Sequence, residues 1–277
     1  MVRITALMDD HAGEHLALVS EHGLSFYIEY GDNHYLFDCG ATGMPIQNAR
    51  RLGVDLHNLA AVILSHSHYD HASGYRELTE QGLASPVLYT GPHFFEKKYA
   101  RDGIRFTDLS AGFDRQFLEE HGIWHREVEG LREMAPGMWL LNGFPRTHAF
   151  ETIPERFVRE TEEGFVQDDF PDEVCLALKV KGGLVVLVGC SHPGILNMLD
   201  VVKEQLKMPI VGVFGGTHLM EADEDRIRIT LEKLKEMGVE NIGLSHCSGD
   251  PALEAIRRDP SMKGCHLGTG DTVYFEE

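Results

Sequence analysis

Hydrophobic positions along the chain fall into two blocks of the same order. Arg3–Met8 and Ser25–Tyr30 mix β-branched and aromatic residues as strands do, and His34–Asp38, after a Gly-Asp-Asn turn, reads as the second arm of a hairpin. Ile46–Leu52 reads as a helix stopped by Gly53. Ala60–Leu64 is a short buried strand running into SHSHYDHASG, Tyr75–Gln81 a helix stopped by Gly82, and Pro86–Tyr89 a strand. The second block opens with a strand at Val174–Val180, a Lys-Gly-Gly turn and a buried strand at Leu184–Val188. Pro193 is expected at the first position of a helix reaching about Leu206. Ile210–Phe214 is a buried strand. Asp223–Met237 is an amphipathic helix, with Ile227, Leu231 and Leu234 on one face and Gly238 as its cap. Asn241–Leu244 is a strand, Pro251–Arg258 a short helix and Thr272–Phe275 a final strand. Residues 91–169 are weakly patterned, with a strand-like piece at Gly137–Leu141. They are expected to form a loop-rich connecting region that covers a site, within a single domain spanning 1–277.

Helices alternating with hydrophobic strands imply an α/β protein with helices covering sheet faces. Three separate strands run into loops bearing a histidine: His66, His192 and His246.

Composition narrows the classes. Hydrophobic residues make up 43% and charged residues 25% of 277 positions, which is globular usage and excludes disordered or low-complexity chains. Lys plus Arg is 25 against 44 Asp plus Glu, a formal charge of −19. So acidic a chain repels phosphate backbones and anionic membranes, so neither nucleic acid nor a membrane surface is an expected partner. No apolar run approaches the roughly 20 residues that span a bilayer, and the first residues show no apolar leader segment. Five scattered cysteines without a C-x-x-C pair argue against a disulfide framework and for a cytoplasmic location. Sixteen histidines direct attention to metals.

The strongest chemical signal is His66-Ser-His68-Tyr-Asp70-His71. At an extended strand end, residues i and i+2 project to one side, so His66 and His68 can reach one ion. Once the chain turns, Asp70 and His71 can reach a second. Imidazole and carboxylate donors suit Zn, Fe or Mn.

Taken with EHGLS (21–25), LFDCG (36–40), VGCSHPGI (188–195), GGTHL (215–219) and LSHCSG (244–249), this motif resembles the metallo-β-lactamase fold superfamily. Within it the chain resembles the dihydropterin ribofuranosylaminobenzene phosphate synthase-like group. The resemblance implies a four-layer αβ/βα sandwich with mixed sheets and one or two divalent ions at one edge, Zn foremost. His66, His68, Asp70, His71 and His246 would be ligands, with Asp70 also catalytic. Asp38 would orient ligand histidines. The implied reaction joins a dihydropterin methyl diphosphate to an aminobenzene ribofuranosyl phosphate and expels diphosphate. A hydrolase would use the same ions, so a metal-dependent hydrolase or transferase of a phosphorylated or pterin-like small molecule is the expected activity.

The sequence departs from the wider superfamily where a bridging aspartate is usual. Here the strand ends Gly189-Cys190-Ser191-His192. Either Cys190 replaces the aspartate or His192 fills the position with Cys190 behind it; His192 is the favoured ligand. His218 is a candidate for substrate binding or general acid catalysis, with a structural role as the alternative. His148 is a candidate additional ligand. Arg146 could hold a phosphate or form a surface ion pair. The turn His192-Pro193-Gly194 before a helix offers free N–H groups as an anion-binding corner. Phe94, Phe95, Trp124, Trp139 and Phe144 are weak candidates for stacking a pterin, and histidines such as His11, His22 and His266 are read individually as structural. An iron-dependent redox enzyme and a metal-stabilised binding or sensor protein are the alternatives.

Overall fold

The structure, a computed structural model, describes residues 1–277. Two seven-stranded mixed sheets face each other. In the first, Thr272–Phe275, Val2–Met8, Ser25–Tyr30 and Asn33–Phe37 pair antiparallel, and Leu59–Ile63, Val87–Thr90 and Trp124–Glu127 continue in parallel. The second repeats this plan. Leu131–Ala135, Met138–Asn142, Val174–Val180 and Gly183–Val188 are antiparallel, followed by parallel strands at Ile210–Gly215, Asn241–Leu244 and Lys263–His266.

Strand periodicity explains the layering. In Gly183–Val188, Val185 and Leu187 point into the core between the sheets, where they meet Ile4, Phe26 and Ile63. Val186 and Val188 point the other way, onto Leu196 and Leu199 of helix Ile195–Leu206 and Ile227 and Leu231 of helix Glu224–Glu236. A strand buried on both faces has to be hydrophobic throughout, which is why LVVLV shows no alternation. On the far side, Leu36 and Val62 pack on Ile46, Tyr75 and Leu78. The order helix, sheet, sheet, helix is the expected four-layer sandwich.

Two expectations are adjusted. Segment 91–169 holds more regular structure than its weak pattern announces. Strands Lys98–Asp102, Arg105–Asp108, Phe157–Thr161 and Gly164–Gln167 form a separate four-stranded sheet, and three further strands extend the edges of the main sheets. Arg105–Asp108 and Gly164–Gln167 are exposed throughout, so they carry no inward-outward alternation to read. Pro193 is not the first helical residue: the helix begins at Ile195 with Gly194 as its cap. No helix is long and apolar enough to cross a membrane.

Candidate metal centre

The parallel strands of both sheets end at the same edge of the sandwich, and their loops supply the site. Leu59–Ile63 leads to His66 and His68, after which a helical turn at Tyr69–Ala72 redirects Asp70 and His71. Gly183–Val188 leads to Cys190 and His192, Ile210–Gly215 to His218, and Asn241–Leu244 to His246. Close approach at the motif depends on Gly74, where a Cβ would lie 2.0 Å from the Cys39 carbonyl oxygen.

Two adjoining groups result. Ring nitrogens of His66, His68 and His192 lie within 4.8 Å of one another, as do donor atoms of Asp70, His71 and His246. Cys190 lies between them: its Sγ is 3.1 Å from His71 Nε2 and shares a grouping with His66, and another with His246. His66 Nε2, His68 Nε2 and both ring nitrogens of His192 are buried with no hydrogen-bond partner. Leaving them so is costly, and a divalent ion at their convergence would satisfy them. Burial, reinforced by neighbouring histidines and Lys98, pushes all three imidazoles well below their usual pKa, which keeps them neutral as metal ligands must be.

The supporting shell fixes these rings. Asp38 Oδ2 accepts from His71 Nδ1 at 2.7 Å and from Ser65 Oγ at 2.8 Å, while Ser65 Oγ is also 2.9 Å from His66 Nδ1. Asp172 accepts from the backbone N–H of Ser67, between His66 and His68, and its other oxygen pairs with the buried ammonium of Lys98. Lys98 also pairs with Asp168 at 3.1 Å and lies 4.5 Å from the centroid of Phe170, which stacks on His192 at 3.8 Å. His246 Nδ1 is 2.6 Å from Asp10, and its backbone N–H donates to Asp9. Burial opposes the charged form of His246, but Asp10 and Asp70 hold its pKa well above the usual value. Burial likewise raises the Cys190 thiol, so ionisation there requires a compensating cation.

Several candidate residues lie elsewhere or act differently. His148 does not join either group; its Nε2 pairs with Asp200 at 2.8 Å. Arg146 donates to the Glu151 carbonyl and forms no surface ion pair. The anion-binding corner is already filled: Glu151 accepts from the N–H groups of Leu196 and Asn197, both at 2.9 Å. Gly194, at φ +104°, leaves room for this carboxylate, which would lie 2.2 Å from a Cβ there. His218 is buried beside the first group, its ring 4.6 Å from that of His192. Among the stacking candidates, Phe94 is buried under the first sheet, Trp139 and Phe144 pack beside the second sheet and its helices, and Trp124 is exposed on an edge strand. Phe157 and Phe170 are the aromatics packed on the first group, both within 5.5 Å of His68 by ring centroid.

The sequence reading missed His22, whose Nε2 lies 3.2 Å from Asp70 and Nδ1 2.9 Å from Asp10. The Asp10 bond, with help from Asp70, pushes its pKa up to about 9. It also missed Asp9, Asp10 and Cys247. The acidic pair directly after the first strand was an available signal, because His66, His192, His218 and His246 likewise come soon after strand ends.

A cavity of about 280 Å³ opens onto both groups, walled by His68, Asp70, His192, His218 and His246, with Leu109, Arg156 and Phe157 from segment 91–169. The metallo-beta-lactamase superfamily model matches residues 20–166, which include the HxHxDH motif. The chain belongs to the metallo-beta-lactamase superfamily. Within this superfamily it is similar to a 7,8-dihydropterin-6-methyl-4-(beta-D-ribofuranosyl)-aminobenzene-5'-phosphate synthase of Methanocaldococcus jannaschii, 32% identical over 99% of this chain and 97% of the relative. A solved metal-dependent hydrolase of the beta-lactamase superfamily superposes over all of both chains at 30% identity and a TM-score of 0.87. A metallo hydrolase from Ignicoccus hospitalis shares the fold at 14% identity, with a TM-score of 0.56 over 100% of this chain and 99% of that one.

Proposed function

We propose that this superfamily member is a metal-dependent hydrolase or transferase acting on a phosphorylated or pterin-like small molecule. The observation that carries the reading is the set of buried, partnerless nitrogens on His66, His68 and His192. His66, His68 and His192 would hold one ion, Asp70, His71 and His246 a second, and Cys190 would stand between them as a thiolate. When bound, such ions polarise a phosphoryl oxygen and neutralise a departing diphosphate, with Zn suited to the donor set and Fe or Mn as alternatives.

The chain's own residues supply orientation and exclusion of water. Asp38 and Asp10 fix the rings of His71 and His246. Phe157 walls the cavity beside His68 and His192, and Phe170 packs against the same two rings, so apolar surface would lower the local dielectric around a developing charge. His218, which lines the cavity with its Nε2 3.9 Å from Glu221, would donate a proton to a leaving oxygen. The synthase name of the relative supports the transferase form, and the hydrolase name of the solved structure supports the hydrolytic form.

The test is to load the protein with Zn, Mn or Fe(II) and follow diphosphate release from a dihydropterin methyl diphosphate, with and without the aminobenzene ribofuranosyl phosphate acceptor. Release only with acceptor supports the transferase, and release with water alone supports the hydrolase. No turnover of these or of simple phosphate esters by the fully loaded protein contradicts the proposal.

A further inference from the structure

The proposed substrate carries a phosphoryl group, and the helix N-terminus that could have received it is occupied by Glu151. The cavity over the metal-ligand groups contains a single lysine or arginine side chain, Arg156. Its guanidinium lies 4.2 Å from the centroid of the Phe157 ring, which in turn is 5.4 Å from the ring of His68 and 5.3 Å from that of His192. One aromatic ring therefore separates this cation from the first ligand group. Its backbone is anchored, since the Arg156 carbonyl accepts from the N–H of Arg101 at 2.7 Å.

The fork is not free. Arg156 Nη2 donates to Glu221 Oε1, on the 3-10 turn Leu219–Glu221 directly after His218. Both side chains are partly exposed, and an ion pair in that setting adds little to folding stability. A carboxylate and a phosphoryl group offer the same oxygens to a guanidinium, so one can replace the other. In a chain of charge −19, an incoming anion also needs a fixed cation at the entrance.

We propose that Arg156 recognises the phosphoryl group of the substrate and that Glu221 is its placeholder, displaced when a phosphate or diphosphate ester enters. The assignment rests on the metal-enzyme reading above and adds the residue that selects the substrate class.

The test is calorimetric binding of inorganic diphosphate to metal-loaded protein, with metal content measured on the same samples. Arg156→Ala is expected to weaken binding about 10- to 100-fold, with Arg156→Lys between it and the unmodified protein. Glu221→Gln is expected to tighten binding about two- to fivefold. Metal content is expected to be the same in all. Affinity unchanged in Arg156→Ala overturns the assignment, and affinity unchanged in Glu221→Gln overturns the placeholder. An unmodified protein that holds metal but binds no diphosphate overturns the phosphoryl assignment and leaves the metal centre standing. Arg156-dependent binding by a protein that takes up no metal supports the assignment while contradicting the metal reading.

Discussion

Asp38 and His71 form a fully buried pair, with the carboxylate 2.7 Å from Nδ1 of the ring. The other ring nitrogen is thereby turned towards Cys190, 3.1 Å away. The same carboxylate binds the N–H and hydroxyl of Ser65, so one side chain ties the motif strand to the ring it orients. Asp38 holds φ at +60° to do so.

Asp38→Ala is therefore expected to weaken metal binding at the Asp70–His71–His246 group by about 10- to 100-fold, the usual cost of losing a partner that orients a ligand. Competition with a chelator measures this. An unchanged affinity would mean that His71 needs no such support.

Lys98 is the buried counterpart of two carboxylates, Asp168 and Asp172. Those charges hold its pKa up against the effect of burial. Lys98→Met leaves both acids without a cation and is expected to cost about 3–5 kcal/mol. Urea unfolding checks it, and a loss below about 1 kcal/mol would show that water or protonation relieves the acids.

His266 sits 2.7 Å from Asp9, which raises its pKa above the ordinary histidine value. A raised pKa means the pair stabilises the fold fully below the unfolded value of about 6.5 and loses that contribution as pH climbs through the folded value. His266→Ala should therefore reduce stability more at pH 6 than at pH 9. Equal losses at the two values would contradict the charged pair.

The sequence made the four layers and the HxHxDH loop readable because each rests on a local pattern. LVVLV and AAVIL are runs that suit strands buried on both faces, and Asp223–Met237 carries a helical stripe. The small sheet of segment 91–169 was not readable, because exposed strands such as Arg105–Asp108 lack alternation. The roles of Glu151 and His22 depend on tertiary contacts, Glu151 to Leu196 and His22 to Asp10 and Asp70, which no spacing in the chain announces. His148, a candidate additional ligand, instead pairs with Asp200 on a helix outside the cluster.

The function proposed for this site requires that the two side-chain groups hold metal. Elemental analysis of protein purified without chelator or nickel resin tests it most directly, repeated for His68→Ala and His192→Ala. One to two equivalents of Zn, Fe or Mn per chain (about the number of donor groups) are expected in the unmodified protein, falling in both variants. Protein that stays free of transition metal after reconstitution, or variants that keep their full content, would contradict it.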